Sequence, residues 1–475
     1  MPQIPGAHSQ NMLFVSTRGQ APALSFSDTV LAGLATDGGL YVPESWPQIS
    51  PEEIAGFAGK PYAEVAFRII SRFTGDEIPE TVLFGMIEAA YGTFRHPSVA
   101  PLVELEPGHF LLELFHGPTL AFKDVAMQFL ARLMDNVLQR RNLGATIIGA
   151  TSGDTGSAAI EAFRGRETTD IFILHPEGKT SEVQRRQMTT VLDHNVHNVA
   201  LAGNFDDCQN LVKALFNNHQ FRDRVRLSGV NSINWGRIVA QIVYYFTAAV
   251  SLGAPQRPIT FVVPTGNFGD IFAGFAAKRM GLPIKRLVIA TNSNDILRRA
   301  IDGGRYDVEG VSSTMSPSMD IQVSSNFERL LFEAADRNPS VVRGAMQSLR
   351  QSGGFAVPTA ALERIRSEFS AGTADERLTA VTIGQTWKRA AYLLDPHTAV
   401  AVAVAQHHLN DGGPVVTLST AHPAKFPAAV RAASGVEPPL PAWLADLYGR
   451  PERLSVLPNE PTALEEFIEA RTRAA

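Results

Sequence analysis

The stretch HGPTLAFKDVAMQF, residues 116–129, leads from a loop punctuated by Gly117 and Pro118 into an apolar run. Beyond Lys123 the residues Ala126, Phe129, Leu130, Leu133 and Val137 recur at the spacing of one helix face, which predicts a helix that opens at the lysine. The positive end of a helix dipole disfavours an ammonium, so Lys123 leans towards the neutral amine, and a neutral amine is a nucleophile. Taken alone, a lysine between Phe122 and Asp124 is more often half of a surface ion pair, so its meaning depends on the surrounding chain.

Outward from this helix, strand-like apolar runs alternate with longer amphipathic ones, the pattern of β-α units around largely parallel sheets. The expected strands are ATIIGA (145–150), DIFILH (170–175), NVHNVAL (195–201), ITFVVP (259–264), RLVIAT (286–291) and VVTLST (415–420). Several are almost continuously apolar, as strands covered by helices on both faces must be. INWGRIVAQIVYYFTAAV predicts a long buried helix, and the first ninety or so residues read as a small helical domain. The serine-rich GVSSTMSPSMDIQVSSNFERL, within 303–375, lacks periodicity and is expected to be an insertion or a mobile loop over a site.

Two strand-to-helix connections are built to receive anions. In ITFVVPTGNFGDIFAGF, Gly266 and Gly269 let the backbone approach a ligand, and the helix that follows aims its N–H groups at it. TIIGATSGDTGSAAIEAF repeats the arrangement. Neither loop has the Gly-x-Gly-x-x-Gly spacing of dinucleotide sites, and Gly178-Lys179-Thr180 is not a P-loop, because Ile173 stands where that motif needs glycine. A nucleophilic lysine with two anion cups, and no redox or metal signature, points to a Schiff base with a phosphorylated aldehyde, pyridoxal 5'-phosphate (PLP).

Composition narrows the setting. With 475 residues, 45% hydrophobic and 19% charged, the chain is an ordinary globular one of two or three domains. Its net charge of -5 offers no field for nucleic acid, and no run is apolar enough for a membrane span. The single cysteine, Cys208, excludes a disulfide framework and is expected to pack as a small hydrophobe. No metal site is expected, since His194 and His197 lack further ligands nearby. A cytoplasmic protein is the expectation.

Five ordered motifs, LFHGPTLAFKDVAMQFL, GATSGDTGSAA, SINWGRIVAQIVYYF, PTGNFGD and LSTAHPAKF, together resemble the threonine synthase family, in its fungal and Gram-negative branch. VSTRGQAP and GLATDGGLYVPESWP resemble that family's N-terminal domain, so the likeness spans nearly the whole chain. It implies an α/β protein of PLP fold type II, like the tryptophan synthase β chain, with two sheet-based α/β domains plus a small N-terminal domain. The expected division is 1–95 for the N-terminal domain, 96–350 for the catalytic core, and 351–475 for a C-terminal region completing that core.

The resemblance also implies roles. Lys123 would carry the cofactor, with Phe122 beside it. Gly266, Asn267, Phe268, Gly269 and Asp270 would surround the cofactor phosphate, and the Thr420 hydroxyl would approach the pyridine nitrogen. Ser152, Asp154 and Thr155 would receive the substrate's carboxylate end and the ring's 3-oxygen. Asp154 then needs neighbours that compensate it, because a carboxylate repels a carboxylate. The implied reaction turns O-phospho-L-homoserine and water into L-threonine and phosphate by γ-elimination and β-addition of water, with Lys123 moving protons at Cα and Cβ. Arg237, with Asn234 nearby, is the first choice for gripping the substrate phosphate, and Lys179 with Arg185 the second. His116 is expected at the site without an assigned proton role. A monomer is expected. The rival readings are a threonine or serine dehydratase of the same fold, and a catalytically silent sensor of a phosphorylated ligand.

Overall fold

The computed structural model describes residues 11–474. Each of the six expected strands forms, and because these runs bury both faces they occupy the two sheets' interiors. The larger sheet has six strands in the order Phe369–Thr373, Ile284–Thr291, Ile259–Pro264, Val415–Ser419, His109–Glu113 and Leu102–Glu106. All neighbours are parallel except the last pair, which is antiparallel. The second sheet is wholly parallel, in the order Ser455–Leu457, Val196–Leu201, Thr169–Pro176, Ala145–Ala150 and Leu227–Gly229.

Two long helices link the sheets. Lys123–Arg141 leaves the larger sheet for the smaller one, and Trp235–Ser251 precedes the return. Both are buried over most of their length, because parallel strands need helices over their faces. The C-terminal part of the chain serves both sheets: Val415–Ser419 lies between two strands of the larger one, and Ser455–Leu457 edges the smaller one.

The N-terminal segment is helical as expected, with Phe26–Ala32, Pro51–Ala55, Tyr62–Thr74 and Glu80–Tyr91, but it also holds a short antiparallel pair, Phe14–Ser16 with Tyr41–Pro43. Its apolar residues join the core of the rest of the chain: Phe14 and Phe73 pack on Trp235 at 5.6 and 5.7 Å between ring centroids.

The region 303–375 corrects the expectation of an insertion or mobile loop. It contains the helices Phe327–Ala334, Pro339–Ser352 and Thr359–Glu368, a paired Arg305–Asp307 and Gly354–Ala356, and the whole of one edge strand of the larger sheet, Phe369–Thr373. Its serine-rich part is tied down by side chains: Asn292 Nδ2 donates to Thr314 Oγ1 and Asp320 Oδ1, and Asn294 Nδ2 donates to the Ser312 carbonyl. Among the described residues no helix is long and apolar enough to cross a membrane.

Candidate active site

The lysine helix begins at Lys123, as its register predicts, at the edge of a cavity of about 190 Å³ between the two sheets. The residue is 7% exposed, and burial pushes its pKa down against the opposing pull of Asp154. Its carboxylate partner is not the neighbouring Asp124. Consecutive helix residues point apart, and Asp124 turns back to accept from the N–H and Oγ1 of Thr119 at 2.8 and 2.7 Å. Gly117 is required there, since a Cβ would lie 2.4 Å from that of Asp124. The Lys123 ammonium instead lies 4.8 Å from the centre of the Phe122 ring and 3.4 Å from Asp154 Oδ2.

Phe122 donates its N–H to the carbonyl of Thr420, at 2.8 Å, which docks the lysine loop on the end of a central strand of the larger sheet. The Thr420 hydroxyl makes no hydrogen bond to the described residues and lines the cavity. Across from it, the helix Gly269–Arg279 starts without a side-chain cap, and Phe268 before it is left-handed, with φ of 64°. The N–H groups of Gly266, Asn267, Phe268 and Gly269 find no acceptor among the described residues. They form a cup beside Lys123, which suits the phosphate of PLP. Gly266 lies so close to the segment above it that a Cβ would meet the Ser318 carbonyl at 2.7 Å. Asp270 serves the helix packing as well: Tyr244 and Tyr245 donate their hydroxyls to its Oδ1, while burial raises its carboxyl to about 6.

The second loop folds on Thr151, whose Oγ1 accepts from the N–H groups of Gly153 and Gly156 at 2.9 Å each. The helix Asp154–Phe163 also lacks a side-chain cap, so the N–H groups of Asp154 and Thr155 face outward without acceptors among the described residues. Asp154 and Thr155 line the cavity, whereas Ser152 lies half-buried beside the loop and outside the lining.

Asp154 finds the compensation that sequence reasoning required, from a residue it had not singled out. Lys425 is fully buried and donates to Thr119 O at 2.7 Å and Gln187 Oε1 at 2.9 Å, with Asp154 Oδ1 at 3.1 Å. Burial alone would raise the Asp154 carboxyl, but the ammonium groups of Lys425 and Lys123 hold it well below the usual range. Gln184 Nε2 and Ser318 Oγ also donate to it, at 2.9 and 3.3 Å.

His397 was missed as well. Its Nδ1 lies 2.9 Å from Asp395 Oδ1, its Nε2 accepts from the Ser318 N–H at 3.2 Å, and it lines the cavity. Lys425 lies in a quoted motif and His397 heads an apolar helix, but only the fold shows what each meets.

Arg237 lines the cavity at 4% exposure, with one bond, from Nη1 to the Val230 carbonyl at 3.1 Å. Its Nε has no partner, no carboxylate pairs with it among the described residues, and burial lowers its pKa to about 10. A buried guanidinium so placed is a site for an anion. Asn234 corrects the sequence expectation. It caps the Trp235 helix, accepting from the Gly236 N–H and donating to Val30 O, both at 2.9 Å, and so lies outside the cavity.

Lys179 and Arg185 are likewise elsewhere. Lys179 is exposed, and Arg185 pairs with Glu452. His116 Nε2 pairs with Glu113 Oε2 at 2.7 Å, outside the cavity lining.

Residues 13–91 match the family model described as threonine synthase N terminus, 94–421 that of pyridoxal-phosphate dependent enzymes, and 398–468 that of the threonine synthase C-terminal part. A threonine synthase from Pseudomonas aeruginosa is 53% identical over 96% of this chain and 98% of its own. The chain belongs to the threonine synthase family. Its cofactor is PLP. The threonine synthase of Saccharomyces cerevisiae is 42% identical over 88% of each chain. A crystal structure of PLP-bound threonine synthase from Brucella melitensis superposes with a TM-score of 0.96 at 60% identity, covering 98% of this chain and 100% of that one. In threonine synthase terms, the N-terminal helices and the final strand and helix are therefore parts of the family's own architecture.

Proposed function

We propose that this chain catalyses the threonine synthase reaction, O-phospho-L-homoserine and water giving L-threonine and phosphate. The observation that carries the reading is a buried arginine with no carboxylate partner among the described residues, Arg237, in the same cavity as Lys123 and an uncapped helix start, in a chain that matches a threonine synthase over 96% of its length. A dehydratase acting on threonine or serine would have no use for a second phosphate site.

Bound here, PLP supplies an aldehyde that condenses with amines and a ring that draws electrons from the attached carbon. The cup from Gly266 to Gly269 would hold its phosphate, Lys123 its aldehyde, and Thr420 its ring nitrogen. Thr155 and the first N–H groups of the Asp154 helix would orient the substrate carboxylate. Arg237 would grip the leaving phosphate with a planar fork of donors. The Lys123 amine, its pKa lowered by burial, takes the proton from Cα and returns it, and moves protons at Cβ. Asp154, held ionised by Lys425, keeps that amine in place. A site kept dry until phosphate has left would disfavour diversion to an oxo acid. The enzyme works in the cytoplasm as a monomer.

The test is incubation of the loaded protein with phosphohomoserine while threonine and inorganic phosphate are measured together. Equal amounts of both are expected. Phosphate accompanied by 2-oxobutanoate and ammonia, with no threonine, would sink the reading.

A further inference from the structure

The Trp235–Ser251 helix presents one polar stripe within an otherwise apolar, buried surface. Tyr244 and Tyr245 of this stripe are used by Asp270. Arg237 is used in part, by the Val230 carbonyl. Gln241, one turn beyond Arg237, lines the same cavity at 3% exposure, and its amide makes no hydrogen bond to the described residues. With no protein partner, and with its polar end open to the cavity, this amide is free to bind a ligand there.

Residues four apart on a helix stand side by side. The Gln241 amide and the open part of the Arg237 guanidinium therefore face one volume. The backbone cup at Gly266 to Gly269, which lines the same cavity, already suits the cofactor phosphate. A phosphate monoester, rich in acceptor oxygens, satisfies both side chains: the guanidinium supplies charge, and the amide supplies a neutral N–H. The amide oxygen would accept from a singly protonated phosphate.

We propose that Gln241 is a phosphate-binding residue that works as a pair with Arg237, on the substrate's phosphate rather than the cofactor's. This rests on the reading that Arg237 grips the substrate phosphate. The other charged groups lining the cavity, Lys123, Asp154, Asp270 and His397, have protein partners of their own.

The test compares holoenzymes of the wild type, Gln241→Met, Gln241→Glu and Gln241→Asn, with circular dichroism to establish that each folds. Inorganic phosphate binding is measured by calorimetry, the phosphohomoserine KM in steady state, and cofactor retention by absorbance during dialysis. Methionine, of similar size, should raise the phosphate Kd and the KM roughly tenfold. Glutamate, which adds a like charge, should raise both further, and asparagine should fall between wild type and methionine. Cofactor retention should stay within about twofold of wild type, since the loop N–H groups hold it.

Unchanged phosphate Kd and KM in the methionine and glutamate variants would overturn the proposal. Loss of cofactor in step with, or instead of, phosphate would overturn it too, by moving Gln241 to the cofactor's phosphate. Wild-type protein that makes no threonine, yet loses phosphate affinity in the variants, would defeat the functional reading alone.

Discussion

Lys123 shows how little a residue's sequence neighbours say about its partner. Asp124 follows it in the chain, yet the carboxylate that meets its amine belongs to a helix start 31 residues on. Replacing Lys123 with alanine should leave the loaded protein colourless and lower turnover by about 10³-fold or more. Borohydride reduction of the wild type should place the pyridoxyl group on Lys123, read by peptide mass, and a label on another lysine would refute the assignment.

Asp124 carries a separate, pH-dependent prediction. Burial raises its carboxyl to about 6 from an ordinary value of 3.8. A native value above the unfolded one means that the folded state holds the proton more tightly. The stabilisation is present in full below about pH 4 and lost as pH climbs through 6. Relative to Asp124→Asn, the wild type should lose about 2 kcal/mol between pH 4 and pH 7. Urea unfolding of both proteins at pH 4 and pH 7 measures this, and a difference that does not change with pH would contradict it.

At the scale of elements, the Gly269 helix depends on a loop that is shaped from outside itself. Ser324 Oγ donates to the Gly266 carbonyl at 2.6 Å, and Asn326 Nδ2 to the Asn267 carbonyl at 2.9 Å, both from the segment just before the Phe327 helix. Gly266→Ala would drive a methyl into the Ser318 carbonyl, costing about 1–3 kcal/mol and displacing the cup. The cofactor Kd should rise tenfold or more, measured by absorbance titration, whereas a Kd within twofold of wild type would mean that the cup tolerates the shift.

Element type was legible where a run of apolar residues was long enough. Phe369–Thr373 escaped notice because Ser370 and Gly372 interrupt it, and it is a strand only because Ile284–Thr291 offers a parallel edge. Leu227–Gly229 is three residues long and shows no period to read.

At the scale of the molecule, the N-terminal segment and the site share a support. Arg329, fully buried, donates from Nε to Tyr41 O at 3.0 Å, from Nη2 to Ile233 O at 2.7 Å, and from Nη1 to Asn326 Oδ1. One guanidinium thus ties the N-terminal strand pair, the start of the Trp235 helix and the asparagine that holds the Gly266–Gly269 loop. Beside it, Glu328 accepts from Thr17 Oγ1 and Arg18 Nη2 at 2.6 and 2.9 Å. Arg329→Met leaves buried carbonyls unpaired, so the fold should lose about 3 kcal/mol. Cofactor release should accompany, or precede, unfolding of the N-terminal segment in a thermal scan followed by absorbance and circular dichroism. Retention of wild-type stability in this variant would show that the tie is dispensable.

The sequence by itself determined the six long apolar strands, the long helices, the lysine and the two anion loops, because apolar period and glycine placement act over a few neighbouring residues. The five motifs carried the family with them for the same reason. What the tertiary structure alone decided is which side chains meet: Lys425 and Gln184 on Asp154, Asp395 on His397, an open Gln241 beside Arg237, and Asn234 as a cap. Those pairings join residues far apart in the chain, and burial and charge compensation act through space, where spacing along a sequence carries no distance.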